Sequence, residues 1–222
     1  YLVFKSNKVA EQNKLWTGMA KETAHQIGTP LSSLMGWVEL MKLENAVPTI
    51  VPEIEKDVVR LNIIAERFSK IGSVPEKKPH DVVPVLKSTL SYFESRSSKN
   101  IHFHFHTELS EMVASINDQL FTWVLENLIK NAIDAMGGKG LLTVVLSRTE
   151  KIMMITVQDT GKGIPKKLYR KIFTPGFTTK KRGWGLGLSL SKRIVEDYHS
   201  GKIFVKKSEL QKGTVFEIRI PI

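Results

Sequence analysis

A chain of 222 residues that is 41% hydrophobic can bury at least one core, which excludes wholesale disorder. The absence of cysteine excludes disulfides and thiolate metal sites, and fits a reducing compartment. A net charge of +11 suits anionic partners, but the basic residues are dispersed and no nucleic-acid-reading motif accompanies them, so no nucleic acid is expected.

No apolar run is long enough to cross a bilayer, and no signal peptide is visible. Tyr1-Leu2-Val3-Phe4, followed by Lys5 and Lys8, reads equally as the tail of a membrane helix or as an ordinary helix start. From about Val9 to Glu44 the pattern is helical. Leu15, Met19, Ile27, Leu31, Leu34, Val38 and Met41 fall in one broad stripe at 3.6 residues per turn. His25 projects to nearly the opposite side, so an accessible imidazole is expected. Pro30 lacks an amide proton and crowds the carbonyl of Gln26, which predicts a kink just after His25, and Gly28 loosens the same turn.

Asn45 to Pro52 reads as a loop, with Pro52 suited to the first turn of a second helix. Val58, Val59, Leu61, Ile64, Ala65 and Phe68 give that helix an apolar face. Residues 1–72 are thus expected to form an antiparallel helical hairpin. One hairpin cannot bury its stripe alone, so a homodimer with a four-helix bundle is expected.

Residues 73–80, with Pro75 and Pro79 after Gly72, read as a linker before a second domain over 81–222. That domain is expected to begin with a helix from about Val82 to Ser98 and a strand from Ile101 to Thr107. A helix from Asp118 to Met136 follows, then strands near Leu141 to Ser147 and Ile152 to Gln158. A helix from about Leu186 to His199 and strands near Lys202 to Lys207 and Thr214 to Ile220 complete it. Helices and strands without regular alternation indicate an α+β fold, an α/β sandwich rather than a doubly wound sheet. His102, His104 and His106 share one face of a strand; surface histidines over an apolar inner face are favoured over a metal site.

Three elements carry candidate chemistry. Asn127 and Asn131, four apart on a helix, can present two amides to a hard cation and to phosphates. Asp159 leads into Thr160-Gly161-Lys162-Gly163, where a carboxylate can accept from an exocyclic amine and glycines can let backbone approach a flat base. Gly183-Trp184-Gly185-Leu186-Gly187-Leu188 precedes a helix whose free amides favour phosphate, with Lys180, Lys181 and Arg182 just before it. Phe173 and Phe177 flank Thr174-Pro175-Gly176, as core residues that can also anchor the ends of a lid.

Taken together, these segments resemble the catalytic half of bacterial sensor histidine kinases of two-component systems, over roughly Lys8 to Ile220. The block around His25 is similar to the family's phosphoacceptor box. Asn127 to Asn131 is similar to its N box, Asp159 to Gly163 to G1, Phe173 to Phe177 to the F box and Gly183 to Leu188 to G2. The resemblance implies a dimerisation and phosphotransfer hairpin followed by a Bergerat-type ATP-binding domain, with ATP and Mg²⁺ as cofactors. It implies that Asn131 holds the metal, Asn127 contacts metal or phosphate, Asp159 reads adenine, and Thr214 lies near the adenine pocket. Lys130, Thr178, Thr179 and Lys180 complete the set expected around the nucleotide. The partners implied are a second copy of the chain and the receiver domain of a response regulator. The module is expected in the cytoplasm, with a membrane tether upstream of residue 1 as an option.

Two positions depart from the family pattern. Gln26 stands where an acidic general base is usual, and Gly28 where a basic residue is usual. Glu22, one turn earlier, or water can take the proton instead. Imidazole has an ordinary pKa near about 6.5, so His25 needs tautomer control more than deprotonation, and activity is expected to survive. Thr29 matches a position that orients water for dephosphorylating the partner aspartate; the other reading is a hydroxyl bonded back to the helix. Related ATP hydrolases carry a glutamate where this chain has Asn127, and an amide cannot act as that base. The alternatives are an ATP-hydrolysing conformational machine and a catalytically weak phosphatase or scaffold.

Overall fold

The computed structural model describes residues 31–32, 34–42, 51–52, 54–55, 58–59, 61–62, 76–180 and 185–222. The chain divides into two compact units, Tyr1–Pro75 and Glu76–Ile222. In the first, the described residues of 31–42 and 51–62 are helical, Pro52 among them. Leu31, Val38, Val51 and Val58 are buried in one cluster, with Met41 and Ile54 against it. The seven-residue spacing within each pair is two helical turns, which returns both side chains to one seam. Leu34, Val59 and Leu61, expected in the apolar stripes, are instead exposed, as are Met35, Trp37 and Leu40. His25, Gln26, Thr29, Glu22 and the expected kink at Pro30 lie outside the described residues. Among the described residues, no helix is long and apolar enough to cross a membrane.

The second unit runs β1 (Lys78–Asp81), α1 (Val82–Glu94), β2 (Ile101–His106), β3 (Val113–Ile116), α2 (Asp118–Met136), β4 (Gly140–Arg148), β5 (Ile152–Asp159), α3 (Gly187–Arg193), β6 (Lys202–Glu209) and β7 (Gly213–Pro221). Two 3₁₀ turns, Lys166–Leu168 and Lys171–Phe173, lie between β5 and α3. Five strands form one mixed sheet in the order β2-β4-β5-β7-β6, parallel only between β2 and β4. Strand alternation builds the core: Leu142, Val144 and Leu146 of β4 and Met153, Ile155 and Val157 of β5 are buried. Register then stacks Val144 beside Val157 and Val157 beside Phe216. The helix α2 packs on β4, β5 and β7 through Leu120, Phe121, Val124, Leu125 and Leu128, all fully buried. Each such side chain contributes roughly 1.5–3 kcal/mol.

Both ends of α2 are set locally. The Asn117 side chain accepts from the Leu120 amide at 3.1 Å, and Gly137 closes the helix in the left-handed conformation at φ 62°. Elsewhere the expectations need correction. Residues 78–80, read as linker, belong to β1, which pairs with an unforeseen β3. Asp81 explains the pairing, because its carboxylate accepts from both Val83 and Met112 amides. Helix α1 stops at Glu94, short of Ser98; the Ser95 hydroxyl donates back to the Tyr92 carbonyl, one of the local bonds that compete with helix propagation. The last helix changes to π geometry over Ile194–Tyr198, where His199 reaches the Ile194 carbonyl. His102, His104 and His106 are exposed on β2.

Candidate functional site

The end of β5 forms one half of the site. Asp159 pairs in register with Thr214 of β7, and each is only 3% exposed. The Asp159 carboxylate accepts from the Gly161 amide at 2.8 Å. Burial raises its pKa above the ordinary carboxylate range, and hydrogen bonds from the backbone of Gly161 and Thr214 pull it part of the way back. The Ser208 hydroxyl donates to the Gly213 carbonyl and accepts from the Ile164 amide. Its single proton is thereby used, so the 2.9 Å contact with Thr214 has Thr214 as donor. The Thr214 oxygen is left with lone pairs, beside a carboxylate that is itself an acceptor. An amine with two protons suits that pair.

The glycines here meet a packing requirement of the fold itself. A Cβ on Gly161 would sit 2.5 Å from the Ala135 carbonyl carbon, and one on Gly163 would sit 2.2 Å from the Glu209 carbonyl oxygen. Their missing side chains let the loop lie against α2 and the β6–β7 turn. The Lys162 amide donates to Ala135 at 3.0 Å and the Lys162 carbonyl accepts from Gln211 at 2.9 Å, locking both sides.

Helix α2 borders the other half as well. Asn127 is half-buried and donates weakly to the Gly187 carbonyl and the Ser191 hydroxyl, at 3.5 and 3.4 Å. Ser191 is fully buried and donates to Gly187 at 2.9 Å. One turn on, Asn131 accepts from the Lys180 ammonium at 2.8 Å, and Asp134 pairs with the same ammonium at 2.6 Å. Two oxygen donors thus already hold a cation, which is the chemistry a hard metal ion needs.

Gly185, at φ 65°, packs on the backbone of Gly176 and Phe177, and its carbonyl accepts from the Gly176 amide. The start of α3, at Leu186, has no side-chain cap, leaving its first amides available. Leu186, Gly187 and Leu188 are half-buried. Phe173 is buried edge-on against Phe216 at 6.3 Å, a core contact, while Phe177 is only half-buried. Lys130, Thr178 and Thr179 are exposed; Thr178 accepts from the Lys180 amide. Gly183 lies outside the described residues. Sequence reasoning passed over Asp134, Ser191 and Ser208. The i+3 spacing from Asn131 and the i+4 spacing from Gly187 could have found the first two. Only strand register reveals Ser208.

Residues 117–222 match the family model described as histidine kinase-, DNA gyrase B- and HSP90-like ATPase. Sporulation kinase A of Bacillus subtilis (strain 168) is 29% identical over 99% of this chain and 36% of its own length. Sensor histidine kinase ZraS of Salmonella typhi is 34% identical over 92% of this chain and 45% of its own. The chain therefore spans between 28% and 51% of the length of these and similar curated relatives. Among solved structures, the catalytic domain of histidine kinase ThkA in a nucleotide-free form is 34% identical, with a TM-score of 0.61, over 66% of this chain and 96% of that domain. Histidine kinase ThkA in complex with response regulator protein TrrA is 28% identical, with a TM-score of 0.63, over 100% of this chain and 66% of that one. A relative matched over nearly its whole length at that identity, on the same fold, establishes the assignment: the chain belongs to the sensor histidine kinase family.

Proposed function

We propose that this chain binds ATP between Asp159 and Asn131 and transfers the γ-phosphoryl group to a ring nitrogen of His25. The observation that carries this reading is that a single helix, α2, borders both the buried Asp159–Thr214 pair of acceptors and the two oxygens, of Asn131 and Asp134, that hold the Lys180 ammonium. Asp159 and Thr214 would receive the adenine amine. Asn131, assisted by Asn127, would hold Mg²⁺, which supplies positive charge to the phosphates when bound. The open amides after Leu186, with Lys130, Thr178, Thr179 and Lys180, would orient the triphosphate.

In the transfer, the bond between the γ-phosphorus and its bridging oxygen breaks, a nitrogen–phosphorus bond forms at His25, and ADP leaves. The ring proton passes to water or to Glu22, since the Gln26 amide cannot accept it. Positioning and charge neutralisation do most of the work in such a step. A histidine-bound phosphoryl group would then move to an aspartate of a receiver domain, a partner class supported by the relative solved with a response regulator. Thr29 would serve the reverse duty, orienting water against that phosphoaspartate.

A second copy of the chain is part of the reading. Leu34, Met35, Trp37, Leu40, Val59 and Leu61 leave large apolar surface exposed on the helical unit, and pairing of two antiparallel hairpins into a four-helix bundle would cover it. The module would work in the cytoplasm, where ATP and the receiver are, with any membrane tether upstream of Tyr1. An amide at Asn127 disfavours the hydrolase alternative, because it cannot activate water.

Incubation with γ-labelled ATP tests the proposal. Label is expected on the wild-type chain and lost in His25→Ala and Asn131→Ala. Steady ATP turnover without labelled protein would favour the hydrolase, and ATP binding with neither label nor turnover would favour the scaffold.

A further inference from the structure

We propose that Lys180 and the metal ion exchange at Asn131, and that Asp134 is the positioning residue holding the lysine there while the metal is absent. The inference rests on the nucleotide reading above and adds a regulated order of charge to it. The Lys180 ammonium lies 2.8 Å from Asn131 Oδ1 and 2.6 Å from Asp134 Oδ2. Asn131 and Asp134, three apart on α2, share a helix face, so one cation can bridge them.

A magnesium ion binds oxygen at about 2.1 Å. With the ammonium still at 2.8 Å from that same amide oxygen, the two cations would stand less than about 5 Å apart. At that separation a double positive charge repels the ammonium about as much as Asp134 attracts it, so arrival of the metal offsets the hold on the lysine. Expulsion is easy because the pair is partly solvated: the Lys180 and Asp134 side chains are 41% and 42% exposed. The backbone need not move, since the Lys180 amide stays tied to the Thr178 hydroxyl at 3.0 Å. Only the four-carbon stem swings, and a freed ammonium is a suitable point charge for phosphate oxygens. Lys180 is therefore a resident stand-in for the metal, and Asp134 sets how much metal is needed to displace it.

ATP binding to the whole 222-residue chain, titrated calorimetrically in EDTA and at graded Mg²⁺, tests this. Wild type should keep measurable binding in EDTA, because Lys180 supplies positive charge. Lys180→Met should lose at least about tenfold in EDTA yet reach half-maximal binding at less Mg²⁺. Asp134→Asn should retain binding in EDTA and lower the Mg²⁺ midpoint by about two- to fivefold, the range expected for an exposed ion pair. Loss of fold cannot produce these opposite changes. Unchanged Mg²⁺ midpoints in both variants, or a raised midpoint in Asp134→Asn, would overturn the exchange while leaving ATP binding intact. Failure of all three proteins to bind ATP under any condition would remove the nucleotide reading and the exchange together.

Discussion

The two halves of the site are built from different material. Around Asp159, position is set by backbone: Gly161, Gly163 and Gly213 lie so close to neighbouring main chain that a single methyl group would collide at 1.8 to 2.5 Å. Around Asn131, position is set by one lysine reaching across from residue 180 to two exposed oxygens. The contrast teaches that close packing of backbone fixes one half of the site, whereas the other half is held by solvated side-chain contacts that can exchange; under the proposed function the first would receive the rigid base and the second the metal and phosphates. Rigidity is cheap where the ligand is flat and unchanging, and a liability where charge must arrive and leave.

The sharpest way to break that comparison is Gly213→Ala. Its Cβ would lie 1.8 Å from the Asp159 carbonyl oxygen at φ 114°, and neither atom can yield. A loss of about 3 kcal/mol or more is expected in thermal or denaturant melts. Gly176→Ala, at φ 78° with nothing within 4 Å, should lose only about 1–2 kcal/mol from backbone strain. Equal melting of the two variants would remove the claim that the Asp159 half is set by steric contact.

Next in size is Asp159→Asn, which should weaken ATP binding by at least about tenfold, or about 1.4 kcal/mol. The same variant should raise the nucleotide-free melting temperature at neutral pH. Burial lifts the carboxyl pKa, so the folded state disfavours the ionised form. That penalty is present at pH above the folded pKa and is relieved as pH falls through it. A lower melting temperature for the amide would mean that the ionised carboxylate is needed for the fold. Ser208→Ala should lose about 1–2 kcal/mol of stability by stranding the Ile164 amide and the Thr214 hydroxyl. Urea denaturation with fluorescence detection would measure it.

The smallest effect concerns the scaffold beneath both halves. His199 is buried, accepts from the Asn117 amide at 3.0 Å and meets the Ile194 carbonyl at 2.8 Å, so it is the neutral tautomer with its proton on Nδ1. Burial lowers its pKa. Unfolded chains therefore take up a proton first, and stability should fall as pH drops below the ordinary imidazole value of about 6.5. Above that value this contribution is level. Melts from pH 8 to 5 should show the slope in wild type and its loss in His199→Gln; a parallel slope in both would assign it to other groups.

Legibility followed distance along the chain. Helix α2 was readable to its last residue, because Asn117 and Gly137 cap it within one turn and its apolar spacing is regular. The strands of the main sheet were readable from alternation. The pair β1 and β3 was not, since four-residue strands carry little pattern and their tie is Asp81 reaching Met112, 31 positions away. The need for glycine at 161 and 163 was legible, but not the contacts with Ala135 and Glu209 that require it, for a sequence shows that space is required without showing what fills it. Glu217 carries no motif that singles it out within the last strand, yet it is 1% exposed between Lys206 and Arg219. Burial pushes its pKa up, and the hydrogen bonds from those two cations more than offset this and lower it.

From sequence alone came what is encoded within a turn or a strand: caps, periodicity, and the motifs around His25, Asn131, Asp159 and Gly187. Tertiary structure alone decided other meetings, above all Lys180 with Asp134 across 46 positions and Ser208 with Ile164 across 44. The physical reason is that capping and amphipathicity act through neighbouring bonds, whereas desolvation and steric exclusion depend on chain segments that only the folded core brings together.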